Sequence, residues 1–124
     1  MRLKPLQSVE MLFVCASMTP PDTISTGEQL AHHHRLQGYS KIAVHYVIER
    51  DGTLYPGRTL DQPGVLAGAD NGMAWQVCLL GGVNDALHPA DTFTPEQYAT
   101  LRQLIAEVNK PVVYSPDWPG GCTQ

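Results

Sequence analysis

Residues 72–82 read Gly-Met-Ala-Trp-Gln-Val-Cys-Leu-Leu-Gly-Gly, and the stretch from Trp75 to Leu80 decides the fold. It is apolar apart from Gln76, has the length of a strand and is closed by glycines at both ends. Without a solvent-facing alternation, such a run suits a central strand covered on both faces. Working outward, Ala43 to Arg50 reads as a second strand, and Asp51-Gly52 as a two-residue turn of type I′ geometry. The return strand, Thr53-Leu54-Tyr55, stops at Pro56-Gly57. Upstream, Glu10 to Ser17 forms a strand that Thr19-Pro20-Pro21-Asp22 ends, because proline supplies no N–H to a ladder. A short last strand covers Pro111 to Tyr114.

Two helices separate these strands. The first starts at Ser25, where Ser25-Thr26-Gly27-Glu28 reads as a capping box, and stops at Gly38, suited to a left-handed C′ position. The second begins at Thr94, with Pro95 in the first turn, Gln97 closing a capping box and Phe93 placed to staple against Tyr98. Leu101, Leu104, Ile105 and Val108 then give it one apolar stripe. Strands interleaved with helices predict an α/β fold, a central mixed β-sheet flanked by helices, in a single domain spanning residues 1–124.

Eight Lys plus Arg against twelve Asp plus Glu give a net charge of −4, with no basic run, which disfavours nucleic-acid binding by phosphate neutralisation. No apolar run approaches the roughly 20 residues of a membrane span. Polar residues Gln7, Ser8 and Glu10 interrupt what would have to be a signal-peptide core, so a cytoplasmic chain is expected. Three thiols, Cys15, Cys78 and Cys122, are odd in number and few for a disulfide scaffold.

Four segments are distinctive when taken in order: Leu12-Phe13-Val14; His34-Arg35 ahead of Gln37-Gly38-Tyr39; His45 to Thr53; and Val77-Cys78-Leu79-Leu80-Gly81-Gly82-Val83-Asn84. They resemble the zinc N-acetylmuramoyl-L-alanine amidases, most of all those of short-tailed phages, with the peptidoglycan recognition proteins as more distant relatives. The resemblance runs from about Leu12 to Cys122 and takes in Phe93-Thr94-Pro95. It implies the amidase fold and, for a working enzyme, a zinc held by two His and one Cys with an open position for water.

Carried over position by position, the resemblance puts the first His ligand on Cys15, the second on Tyr114 and the Cys ligand on Cys122. The catalytic Tyr falls on Val44, the assisting Lys on Gly120 and a groove-lining His on Leu66. Val44, Leu66 and Gly120 bring no ionisable group, and losing one general acid or base typically costs about 10²–10⁴-fold in rate. A phenol such as Tyr114 is a poor zinc ligand because its ordinary pKa is about 10. No catalytic residue, metal or other cofactor is therefore expected. Two thiolates at Cys15 and Cys122, completed by Asp117 or a His, leave a structural metal open, and a disulfide between them is the other reading.

Trp75 and Gln76 stand where relatives carry a smaller aliphatic residue and a Gly, and Asn71 matches a groove position. With Val44, Leu66, Tyr114 and Trp118, they make the expected binding region apolar and aromatic. These side chains either pack together after metal loss or form an exposed patch of the kind that anchors protein partners. The histidines of His32-His33-His34 diverge by about 100° each on a helix and cannot meet at one ion. His34 and His45 are expected to be satisfied core residues, and Cys78 a small buried hydrophobe.

The resulting expectation is a non-catalytic amidase-fold protein of phage or prophage origin. It would bind and inhibit a protein complex, either a polymerase or a host defence system. The alternatives are recognition of muramyl peptide without cleavage, and an active amidase with an altered metal site. The phage enzymes continue into another helix beyond the position of Cys122, so a bare flank available for self-association is also expected.

Overall fold

The computed structural model describes residues 9–121. Five strands, β1 (Met11–Ala16), β2 (Tyr46–Ile48), β3 (Leu54–Pro56), β4 (Ala74–Leu79) and β5 (Val112–Tyr114), form one sheet in the order β3-β2-β4-β1-β5. Only β3 runs antiparallel to its neighbour, so the sheet is mixed, as the sequence predicts. Helices α1 (Gly27–Leu36) and α2 (Pro95–Val108) cover opposite faces. Side chains alternate along β1: Phe13 and Cys15 enter the α1-side core with Leu30 and Ala31, whereas Leu12 and Val14 enter the α2-side core with Leu101 and Leu104. Fully buried leucines stand on both sides, each contributing about 1.5–3 kcal/mol.

Gln97 shows how α2 is fastened. The Thr94 hydroxyl accepts the Gln97 N–H, and the Gln97 amide oxygen takes the Thr94 N–H at 2.9 Å, closing the expected capping box. The same amide donates to the carbonyls of Ile48 at 3.1 Å and Leu80 at 2.9 Å, where β2 and β4 end. Arg50 completes the joint by donating to both Gln97 Oε1 and the Leu80 carbonyl. Phe93 meets Tyr98 edge-on at 6.0 Å, the predicted staple.

Three local expectations are corrected. The first helix takes its cap from Thr26 rather than Ser25, because Gln29 Oε1 reaches back to both the Ser25 and Thr26 N–H groups. The hairpin is not type I′: Gly52 alone has positive φ, at 90°, and its N–H closes a turn on the Glu49 carbonyl, while Glu49 N–H bonds Thr53 O. That is a three-residue loop with a glycine bulge, and Thr100 holds it by donating to the Gly52 carbonyl at 2.6 Å. The second strand is shorter than 43–50. Ala43, Val44 and His45 spend their backbone groups on Val65, Arg58, Gly57 and Gln76 instead of on a ladder with β3.

Candidate functional site

The positions singled out in the sequence separate onto the two faces of the sheet. Cys15 and Val44 lie in the α1-side core, with Leu66 packed against it. Tyr114, Trp75 and Trp118 pack on the α2-side core. The register explains the division. Tyr114 pairs with Val14, whose side chain points to α2, whereas Cys15, one residue on, points to α1. The expected single apolar and aromatic floor is thus two separate groups. Cys122 lies outside the described residues.

On the α1 face the polar groups are turned inward. Gln76, fully buried, accepts the Leu66 N–H at 2.9 Å and donates to Asn71 Oδ1 at 3.0 Å, and the same Asn71 oxygen takes the Ala67 N–H at 2.8 Å. A Cβ on Gly64 would stand 2.6 Å from the Gln76 amide, so loop and side chain fit closely. Gln76 acts as an internal strut for residues 64–71, and Val44 is fully buried, so neither presents a surface. Trp75 lies on the other side, its indole N–H donating to Leu60 O at 3.1 Å.

Two histidines and an arginine support the same wall. His34 Nδ1 accepts the Ala43 N–H at 3.0 Å, and burial, then the nearby His33 and Arg58, lower its pKa to about 4. His45 Nδ1 accepts the Gln76 N–H at 2.9 Å, leaving Nε2 to donate to the Gln62 carbonyl; burial lowers its pKa. Both rings are satisfied core groups, as expected, while His32 is exposed and His33 half-buried. The sequence reading missed Arg58. It is buried, has no carboxylate partner among the described residues, and donates to the carbonyls of Ile42 at 2.7 Å and Pro63 at 3.2 Å. Its signal, an arginine directly after Pro56-Gly57, has no periodicity to reveal it.

On the α2 face, Trp118 stacks on Phe93 at 4.8 Å with the rings within 8° of parallel, and Tyr114 leans on Trp118 at 5.4 Å. These aromatics pack on one another rather than spreading as an open patch. The Tyr98 hydroxyl accepts the Gly121 N–H at 3.0 Å, and burial pushes its pKa up to about 12. A Cβ on Gly120 would come within 2.6 Å of that hydroxyl and 2.9 Å of the Trp118 ring. At the position that the resemblance gives to the assisting Lys, a side chain would have to displace the Tyr98 hydroxyl and the Trp118 ring.

A zinc ion does not fit the described residues. Of the family's ligand positions among them, only Cys15 offers a donor to the α1 face, and its thiol donates to the Val77 carbonyl at 3.6 Å. Its cross-strand neighbour is Cys78, whose thiol is pushed well above its ordinary range by the hydrogen bond with Cys15 and by burial, the opposite of what a thiolate ligand needs. Asp117 accepts a hydrogen bond from Ser115 Oγ at 2.8 Å. No three His, Cys, Asp or Glu side chains converge on one point among the described residues.

A sequence model of the N-acetylmuramoyl-L-alanine amidases matches residues 7–116. The endolysin of Klebsiella phage KP32 is 34% identical over 103 residues, covering 82% of this chain and 68% of that protein. The amidase LysCS of Clostridium intestinale URNW superposes with a TM-score of 0.71 at 24% identity, over 91% of this chain and 76% of its own. Peptidoglycan recognition protein LE, solved in complex with tracheal cytotoxin, gives 0.66 at 17% identity, over 96% and 79%. The two structures speak to the fold, and the family match together with the phage relative places this chain in the N-acetylmuramoyl-L-alanine amidase family.

Proposed function

We propose that the chain is a non-catalytic amidase of phage or prophage origin that works by binding and inhibiting a protein complex, a polymerase or a defence nuclease, in the cytoplasm of the bacterial host. The observation that carries the first half of this reading is the separation of Cys15 and Tyr114 onto opposite faces of the sheet. With Val44 buried and Gly120 wedged against Tyr98, nothing at those positions activates water or protonates a leaving amine. A scaffold kept without its chemistry is a scaffold kept for contact, and fold alone does not fix function.

The test is direct. Protein purified without chelator is expected to carry far less than one zinc per chain and to release no peptide from cell-wall material. Stoichiometric zinc together with peptide release would reverse the reading in favour of an active amidase with an altered metal site. Recognition of a muramyl peptide without cleavage is the second reading, favoured by the complex of peptidoglycan recognition protein LE with tracheal cytotoxin. Against it, the Asn71 carbonyl oxygen and the Gln76 amide are already bonded within the chain. Calorimetric titration with a muramyl tripeptide is expected to give no binding heat.

A further inference from the structure

β1 and β4 lie side by side in the sheet, and their register sets Cys15 directly opposite Cys78. Both side chains enter the α1-side core, and both residues are free thiols, 6% and 1% exposed. Opposed residues on neighbouring strands have Cα atoms about 4.8 Å apart, inside the roughly 4.4–6.8 Å that a disulfide spans. The two thiols are hydrogen-bonded to each other. Their other contacts are long: Cys15 donates to the Val77 carbonyl at 3.6 Å and Cys78 to the Leu79 carbonyl at 3.9 Å. The other buried side chains of this core are hydrocarbon, so each sulfur has the other as its one reactive neighbour there.

The place of the pair in the strands also gives access. Each cysteine is the fifth residue of a six-residue strand, one residue before the ladder ends at Ala16 and Leu79. Fraying of that end, which breaks the 3.0 Å bond from the Ser17 N–H to the Leu79 carbonyl, opens the pair while the rest of the sheet stays folded. Cys15, the more exposed of the two, meets an oxidant first. The sequence leaves a disulfide between Cys15 and Cys122 open, whereas the register gives Cys15 a facing partner in Cys78.

We propose that Cys15 and Cys78 are a redox pair, a dithiol in reducing surroundings that hydrogen peroxide converts to a disulfide tying β1 to β4. In the first step the Cys15 sulfur takes one peroxide oxygen, becomes a sulfenic acid and releases water. The Cys78 sulfur then attacks that sulfur, the S–O bond breaks, and the hydroxyl leaves as a second water with the Cys78 proton. The electron pair lost by the sulfurs is the pair that splits the peroxide O–O bond. A thiol reductant reverses the change by exchange. Closing the chain between residues 15 and 78 restricts the unfolded state, so the stability of the sheet follows its redox state. The pair needs no partner protein, and it stands whether or not the chain binds one.

The reduced full chain and its Cys122→Ser variant are treated with hydrogen peroxide under native conditions, alkylated, and digested without reduction for mass spectrometry. The expected product in both is a linked pair of peptides carrying Cys15 and Cys78, lighter by the two hydrogens lost. The urea midpoint of the oxidised chain is expected to rise by about 1 M. Dithiothreitol, which leaves methionine sulfoxide untouched, should return it to the starting value, and peroxide should not raise the midpoint of Cys78→Ala. Cys15 and Cys78 both still open to alkylation when the treated chain is unfolded would overturn the pair. So would a Cys15–Cys122 link in its place, a link formed only when peroxide is added in urea, or an oxidised chain no more stable than the reduced one.

Discussion

A Gln76→Ala chain is expected to lose about 2–4 kcal/mol of stability, read as a lower denaturation midpoint in urea at an unchanged slope. The side chain is fully buried, and its amide serves partners on both sides, the Leu66 N–H and Asn71 Oδ1. Removing it opens a cavity against Gly64 and leaves the Leu66 N–H without its acceptor. Gln76→Glu separates the two contributions. It keeps the shape and the acceptor for Leu66 but sets an oxygen against the Asn71 oxygen, so it too is expected to be destabilised. A midpoint indistinguishable from the parent in both variants would show that Gln76 is not the strut of the 64–71 loop.

Acid is expected to unfold this chain from an unusually high pH downward. His34 is held neutral, with a pKa near 4 against an ordinary 6.5, and burial lowers the His45 pKa as well. Between the folded and unfolded values the unfolded chain binds more protons, so stability is fully present above about pH 6.5 and is lost as pH falls through about 4. Each excess proton contributes a slope of about 1.4 kcal/mol per pH unit. Urea midpoints measured from pH 7.5 to 4 should therefore fall steadily below pH 6.5. His34→Asn, which offers Oδ1 to the Ala43 N–H in place of Nδ1, should flatten that dependence. A midpoint constant from pH 7 to 5 would contradict the buried neutral assignment.

The parts of the fold that were legible in the sequence are those written locally. The Thr94 capping box needs only residues three apart, and the central position of β4 follows from its own apolar run. The satisfied state of His34 was legible from the family position it matches, and that of His45 from an expected strand, although His45 lies just before the observed one. The direction of Tyr114 was not legible, because it depends on which residue of β1 it pairs with, and a shift of one residue reverses the face. The inward turn of Gln76 was hidden for a similar reason: its partners sit on a loop 5 to 10 residues upstream whose path is fixed by Arg58 and Gly64. The hairpin type escaped because both turn geometries use a glycine at the same place, and one contact that holds the observed turn comes from Thr100 on a distant helix.

The central claim is that the described ligand positions no longer gather a metal. Titration with cobalt(II), a spectroscopic substitute for zinc, tests it most directly, since a cobalt ion bound by cysteine gives an intense sulfur-to-metal charge-transfer band and tetrahedral visible absorption. One equivalent of cobalt(II) added to the reduced, chelator-free protein is predicted to give neither. A saturating band at one equivalent, abolished by Cys15→Ser, would contradict the account.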